Sequence, residues 1–111
     1  MSATPTAPPV FVALTQGGCD LARRLTAGFE GAEVHGLAGR TEGADRAFDE
    51  TVEHLRDLFW AGRPIVGLSA AGILIRALAP LLDDKRAEPP VVALAEDGSA
   101  VVPLLGGHRG A

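Results

Sequence analysis

Cysteine and basic residues are scarce in this sequence, and both shortages exclude whole classes of protein. The single cysteine, Cys19, rules out an internal disulfide framework and is consistent with a cytoplasmic location. Ten Lys and Arg residues against fourteen Asp and Glu residues give a formal net charge of −4. Because no basic block is present either, we expect neither nucleic acid nor a membrane surface as a partner.

Long apolar runs and targeting signals are also missing. No apolar run approaches the ~20 residues that a membrane-spanning helix requires. The first nine residues have neither a basic nor an apolar segment, so they do not resemble a signal peptide. We interpret residues 1–9 as a flexible leader and residues 10–111 as one domain, since 111 residues suit one domain rather than two.

What the sequence does contain is an alternation of short apolar runs with helical patterns. Hydrophobic residues make up 47% of the chain, which is enough for a core. The runs predict strands at residues 10–14, 32–37, 65–68, 91–95 and 100–105. Helical spacing predicts three helices: a first one capped by Thr15 or Asp20, a second over 46–61 and a third over 72–82. The third is apolar on all sides, so we expect it to be buried. The buried side of the second helix is predicted to carry Phe48, Val52, Leu55 and Phe59.

This order of elements predicts an α/β fold. Strands separated by helices imply right-handed crossovers and a three-layer α/β/α domain with a mostly parallel, Rossmann-like sheet. The last two strands are joined by Glu96-Asp97-Gly98-Ser99, which is typical of a hairpin. We therefore expect a C-terminal antiparallel pair at one edge of the sheet.

Ligands of such sheets bind beyond the carboxyl ends of the strands, and three segments with glycine turns are predicted to meet there. In residues 69–76, Ser69 and Gly72 open a helix whose free N–H groups suit an anion. Arg76, the only charged residue of that helix before Asp83, could anchor a carboxylate. Alternatively, Arg76 pairs with an acidic residue such as Asp49 or Glu96, or lies along the surface.

The other two segments are residues 15–20 and 106–111. The first contains Thr15 and Gly18, which contact a ligand or simply form a turn. The second contains Gly107, His108 and Gly110, which form either a backbone nest for an anion, with His108 as acid or base, or a flexible glycine tail.

Metal or thiol chemistry is not expected from the remaining candidates. His35 and His54 have no partners at the spacing of metal ligands, so we predict no metal site. Cys19 lies at a predicted helix start, which lowers the pKa of a thiol, but no histidine adjoins it in the sequence. We therefore do not expect a cysteine nucleophile.

Six separated blocks of the sequence begin at Ala70, Ala79, Asp84, Pro89, Glu96 and Leu104. They are similar in order and spacing to the pattern A-x-G-I-V-V-R, A-P, D-K, D-P-A-V-V, D-E-x-G and L-L-S-G-H-L-G-G. This is the pattern of the N-terminal domain of the CbiG proteins of cobalamin biosynthesis, which the chain therefore resembles. The resemblance covers roughly residues 10–111, and family members continue beyond this region.

The resemblance implies a cobalt-precorrin 5A hydrolase, which opens the δ-lactone of a cobalt corrinoid and releases acetaldehyde. It implies a substrate that carries its own cobalt, so no cofactor of the protein is expected, and it allows other cobalamin-pathway enzymes as partners. His108 and Glu96 are the candidate catalytic residues, because lactone opening needs a general base and a donor to the oxyanion. The candidate substrate-binding residues are Ser69, Gly72, Arg76, Gly107, Gly110, Thr15 and Gly18.

The alternative is a non-catalytic module that binds corrinoid intermediates or supports a partner enzyme. Such a module could derive from a fusion with a precorrin-3B C17-methyltransferase. Ala95 and Gly106 stand where the family pattern has Asp and Ser, which favours this reading. An uncovered apolar patch near Leu104 and Leu105 would further promote self-association into a homo-oligomer.

Overall fold

The computed structural model describes residues 7–69, 71–82 and 88–105. Most predicted elements are present, together with one additional strand. In chain order the elements are β1 (Val10–Ala13), α1 (Gln16–Thr26), β2 (Glu33–Leu37), β3 (Arg46–Phe48), α2 (Thr51–Trp60), β4 (Ile65–Leu68), α3 (Ala71–Leu78), a 3₁₀ turn (Ala79–Leu81), β5 (Val91–Leu94) and β6 (Val101–Leu105).

The six strands form one sheet in the order β3-β2-β1-β4-β5-β6. The first five are parallel, and β6 runs antiparallel to β5. The chain moves from β1 outward to β2 and β3, and then returns to add β4 on the other side of β1. The carboxyl ends of β1 and β4 therefore flank the switch in strand order where ligands of such sheets bind.

Helices cover both faces of the sheet, so the predicted three-layer α/β fold is confirmed. Side chains alternate along β1: Val10 and Val12 join the core beneath α2 and α3, whereas Phe11 and Ala13 join the core beneath α1. The helix that follows β1 begins at the cap Thr15, whose Oγ1 accepts a hydrogen bond from the Gly18 N–H at 3.1 Å.

Residues 46–48 form strand β3 rather than the start of the second helix, so this part of the prediction is wrong. Phe48 is buried as predicted, but it pairs with Leu37 in the sheet. The helix begins at Thr51, which leaves Val52 44% exposed and gives the core Leu55, Leu58 and Phe59 instead. This strand has only three residues, too few to show the alternation of apolar and polar residues that predicts a strand. The spacing of four between Phe48 and Val52 therefore predicted a helix instead.

The third helix is shorter and more exposed than predicted. It ends at Leu78 and tightens into a 3₁₀ turn at Pro80, whose ring removes a backbone donor. Leu74, Ala77 and Leu78 are buried, but Ile75 is 51% exposed and Arg76 is also exposed. The expectation that this helix is buried on every side is therefore wrong.

The predicted hairpin is confirmed. The Gly98 N–H donates to the Ala95 carbonyl at 2.8 Å, and Gly98 takes a φ of 78°, which suits glycine. Residues before β1 are also tied to the domain, because the Pro8 carbonyl accepts two hydrogen bonds from the Arg63 guanidinium. Residues 1–6 of the predicted leader lie outside the described residues.

Candidate functional site

Two of the predicted site residues line one open cavity at the carboxyl ends of β4 and β5. Ser69 follows β4 directly, and Glu96 lies in the turn after β5. The cavity has a volume of about 560 Å³ and is lined by Ser69, Ala71, Ala93, Ala95, Glu96, Asp97, Ser99, Ala100 and Val102. Four of these nine lining residues are alanines, whose small side chains let a ligand approach the backbone.

Asp97 is a carboxylate of this cavity that sequence reasoning missed. Its Oδ1 accepts a hydrogen bond from the Ser99 N–H at 2.9 Å. Hydrogen bonds from the Ser99 side chain and backbone hold the pKa of Asp97 below its ordinary value. From the sequence, the Asp-Gly dipeptide predicted only a hairpin. The hydrogen bond to Ser99 shows that the Asp97 side chain also stabilises the shape of the turn.

Gly72 and Arg76 lie on the same side of α3, one helical turn apart. A Cβ atom at Gly72 would lie 3.9 Å from Arg76 Nη2, so the guanidinium reaches back towards the helix start, beside Ala71 of the cavity. Among residues 7–69, 71–82 and 88–105, no carboxylate is paired with Arg76. The alternative ion pair with Asp49 or Glu96 is therefore not formed.

Thr15 and Gly18 lie beside the same edge but have structural contacts of their own. The Thr15 hydroxyl is already engaged as the cap of α1. A Cβ atom at Gly18 would lie 3.3 Å from Leu68 Cβ, so a glycine here lets α1 pack closely against the end of β4. These two residues bring the α1 start next to Ser69.

A second cavity lies across β1, at the carboxyl end of β2. It measures about 540 Å³ and is lined by Gln16, Gly39, Arg40, Thr41 and Glu42. The Gln16 side chain fixes its wall, because its amide donates to the Glu42 carbonyl at 3.1 Å and accepts from the Glu42 N–H at 2.7 Å. No motif predicted this cavity, because Gln16 and Glu42 are far apart along the chain.

The last strand, β6, ends at the amino-terminal ends of the parallel strands, which is the side of the sheet away from the cavity. Because β6 is antiparallel, Leu105 pairs with Val91, the first residue of β5, whereas Glu96 follows the last residue of β5. The expectation that the final strand leads to the edge holding Ser69 and Glu96 is therefore wrong. Gly107, His108 and Gly110 lie outside the described residues.

Cys19 is buried, and the expected effect of the helix start on its pKa is wrong. Burial, followed by the charge of Asp20, raises the pKa of the thiol. Its Sγ donates to the Glu42 carbonyl at 3.5 Å, which is compatible with a packing role. The absence of a cysteine nucleophile therefore stays a prediction, with a raised pKa in its favour.

The structure brings His35 and His54 together, although they are distant in sequence. His35 Nδ1 lies 2.7 Å from His54 Nε2, and His35 Nε2 lies 2.9 Å from Glu33 Oε1. No group of three or more His, Cys, Asp or Glu side chains in the described part of the chain could hold a metal ion. Across those same residues, no helix has the length and apolar character needed to cross a membrane.

Comparison with known proteins gives consistent similarities. Residues 53–111 match a family described as "Cobalamin synthesis G N-terminal". The chain is 38% identical over 100 residues to the cobalt-precorrin-5A hydrolase of Salmonella typhimurium, a match covering 87% of this chain and 28% of that protein. It is 30% identical over 105 residues to the same-named protein of Priestia megaterium, covering 89% of this chain and 28% of that protein. The chain therefore spans little more than a quarter of these relatives, and no solved structure matches it.

Proposed function

Because the chain belongs to the cobalamin synthesis G N-terminal family, we propose that it acts in cobalamin biosynthesis as the N-terminal domain of a cobalt-precorrin-5A hydrolase. The substrate is a cobalt corrinoid that brings its own cobalt, so the proposal needs no cofactor of the protein. It includes a cytoplasmic location and other enzymes of the pathway as partners.

The observation that carries this proposal is the cavity shared by Ser69 and Glu96, together with Arg76, which reaches back towards Gly72 at the start of the helix whose first residue, Ala71, lines that cavity. A corrinoid is broad and bears many carboxylates. The small lining side chains admit a broad ligand, and Arg76, which has no described carboxylate partner, supplies a cation for one of its carboxylates.

In the proposed reaction, Glu96 accepts a proton from the water that attacks the lactone carbonyl, and it returns that proton to the alkoxide that departs when the lactone C–O bond breaks. The backbone N–H groups at the start of α3, where Ala71 lines the same cavity, are the donors we propose for the oxyanion that develops. His108 stays an alternative candidate acid or base and Gly107 and Gly110 stay candidate donors, although they follow a strand that ends at the other end of the sheet from Glu96. These assignments rest on the resemblance, since those residues lie outside the described part of the chain.

Substrate binding is tested by following the corrinoid absorption spectrum while protein is added to cobalt-precorrin 5A. We expect Arg76→Gln to weaken binding about tenfold, the cost of one charge-assisted contact. Arg24→Gln removes the same charge from an exposed position on α1 and should bind like the wild type. No spectral change with the wild-type protein up to high micromolar concentration would refute corrinoid binding, and equal binding by both variants would refute the role of Arg76.

Catalysis is tested separately by measuring acetaldehyde release from the same substrate. Glu96→Gln keeps the size of the side chain but cannot accept a proton, so we expect a loss of about 100-fold or more. Asp97→Asn is the matched control. The neighbouring Asp97 carboxylate already accepts a hydrogen bond from the Ser99 N–H, so this variant should release acetaldehyde like the wild type. Activity retained in Glu96→Gln and lost in His108→Ala would transfer the role of base to His108.

A non-catalytic corrinoid-binding module is the second candidate, favoured by Ala95 in place of the acidic residue of the family pattern. It predicts a spectral shift on binding without acetaldehyde release by the wild-type protein. Release of acetaldehyde in proportion to the protein added would exclude it.

A further inference from the structure

Three polar side chains form a hydrogen-bonded row outside the proposed site. Glu33 and His35 come from β2, and His54 comes from the first turn of α2. His35 is only 3% exposed and joins the other two through contacts of 2.9 Å to Glu33 and 2.7 Å to His54. No catalytic role in the proposed hydrolase uses these residues.

The carboxylate determines where the protons of this row lie. Ionised Glu33 can only accept, so His35 must donate through Nε2–H. Neutral His35 then has a bare Nδ1, which accepts the Nε2–H of His54. The hydrogen bond from His35 lowers the pKa of Glu33, which keeps this carboxylate ionised.

The ring of His54 also joins two elements to β2. It stacks on Phe48 of β3, with ring centroids 4.4 Å apart and planes only 3° from parallel. Its backbone N–H donates to the Glu50 carbonyl at the start of α2. Through these contacts His54 ties the first turn of α2 to both β2 and β3, in addition to the backbone pairing of β3 with β2.

Charges on every neighbouring element act on this contact. Burial, followed by the proximity of His35, lowers the pKa of His54. Asp57 on α2 opposes that shift and Arg46 on β3 reinforces it, while Arg46 and Arg63 also favour the ionised form of Glu33. The folded protein therefore favours a neutral His54.

We propose that Glu33, His35 and His54 form an acid-released latch, which holds β3 and the start of α2 against β2. Protonation of His54 at Nδ1 brings a positive charge beside the buried His35. The charged imidazolium is better solvated outside this partly buried position and is repelled by Arg46 on β3, so protonation favours a state in which His54 leaves its place against His35. The latch then opens at its His35–His54 contact, and β3 and the first turn of α2 loosen together.

The direction of the pH dependence follows from linkage. Unfolded chains protonate His54 near the ordinary pKa of 6.5, whereas the folded protein resists protonation until a lower pH. Between the pKa of His54 in the folded protein and its pKa of about 6.5 in the unfolded chain, unfolded molecules bind more protons than folded ones. The free energy of unfolding therefore falls as pH drops below about 6.5. With one group involved, the unfolding equilibrium constant should rise by up to about tenfold per pH unit in that window.

Denaturant unfolding between pH 7.5 and 5 tests the latch. Gln at position 54 still offers an amide N–H to His35 but does not titrate, so His54→Gln should lose this part of the pH dependence. Arg24→Gln alters an exposed residue of α1, on the other face of the sheet from His54, and should keep the wild-type dependence. Equal pH profiles for the wild type and His54→Gln would overturn the proposal.

A second measurement on the wild-type protein decides the matter if His54→Gln does not fold. Nitrogen-15 NMR of the histidine side chains at pH 7.5 should show Nε2–H tautomers for both His35 and His54. On lowering the pH to 5, the amide protons at the start of α2 should exchange faster than their intrinsic rates explain. A proton on Nδ1 of His54 at pH 7.5, or unchanged protection at pH 5, would refute the latch.

Discussion

At the scale of single residues, missing side chains set how closely the helices approach the sheet. Gly67 lies in the middle of β4, directly beneath α3. A Cβ atom there would meet two methyl carbons of Leu74 at 2.7 and 2.8 Å, closer than packed atoms allow. Glycine at this position therefore permits the close packing of Leu74, one of the most deeply buried residues of the core.

We expect Gly67→Ala to destabilise the protein by about 1–3 kcal/mol, the usual cost of overpacking a core. Chemical denaturation monitored by circular dichroism measures this loss. Gly17→Ala is the matched control, since nothing lies within 4 Å of a Cβ at that position of α1, and it should be neutral or slightly stabilising. Equal stability of the two variants would show that Leu74 repacks without cost.

At the scale of elements, a long side chain adds a hydrogen bond between the two helices that pack together on one face of the sheet. Arg56 Nε of α2 donates to the Ala77 carbonyl of α3 at 2.8 Å. That carbonyl belongs to the last turn of α3, where carbonyl groups lack a partner within the helix. The arginine therefore satisfies the end of one helix from the surface of another.

Arg56→Met should lower the free energy of unfolding by about 1–2 kcal/mol, because the apolar stem is kept while the hydrogen bond to Ala77 is lost. Thermal and denaturant unfolding report the change. The control Arg24→Met alters an exposed arginine of α1 and should leave stability within about 0.5 kcal/mol of the wild type. A wild-type midpoint for Arg56→Met would mean that water replaces the guanidinium at no cost.

At the scale of the whole molecule, an apolar hollow remains open beside α3. It measures about 230 Å³ and is lined by Leu74, Ile75, Leu78, Ala79, Leu82, Val91 and Leu104. The sequence predicted an uncovered patch near Leu104, and the structure places that residue in this hollow. Self-association through the hollow stays a prediction, based on the general tendency of exposed apolar surface to be buried.

We expect Ile75→Lys to reduce self-association at high protein concentration, because Ile75 is 51% exposed at the rim of this hollow. Light scattering over a concentration series measures the change in mean mass. Val52→Lys places the same charge at a similarly exposed residue of α2 and should not alter the association. A wild-type protein that stays monomeric throughout the series would contradict the prediction.

The sequence by itself determined the features that depend on local pattern. Apolar runs located β1, β4 and β5, and the Asp-Gly dipeptide located the final hairpin, because strands and turns of this kind are encoded by neighbouring residues. The blocks around Gly72, Glu96 and Leu104 were sufficient to indicate the family. Ser69 and Glu96 were both predicted to belong to the site, and they line one cavity because β4 and β5 are adjacent and parallel.

Tertiary structure alone decided which distant residues meet. Pairing with β2 turned residues 46–48 into a strand, although the spacing of Phe48 and Val52 predicted a helix. His35 and His54 appeared unrelated in the sequence, yet the crossover from β2 through β3 to α2 brings their rings within 2.7 Å. These contacts depend on strand order and direction, which are set by the packing of the whole sheet rather than by any short segment of chain.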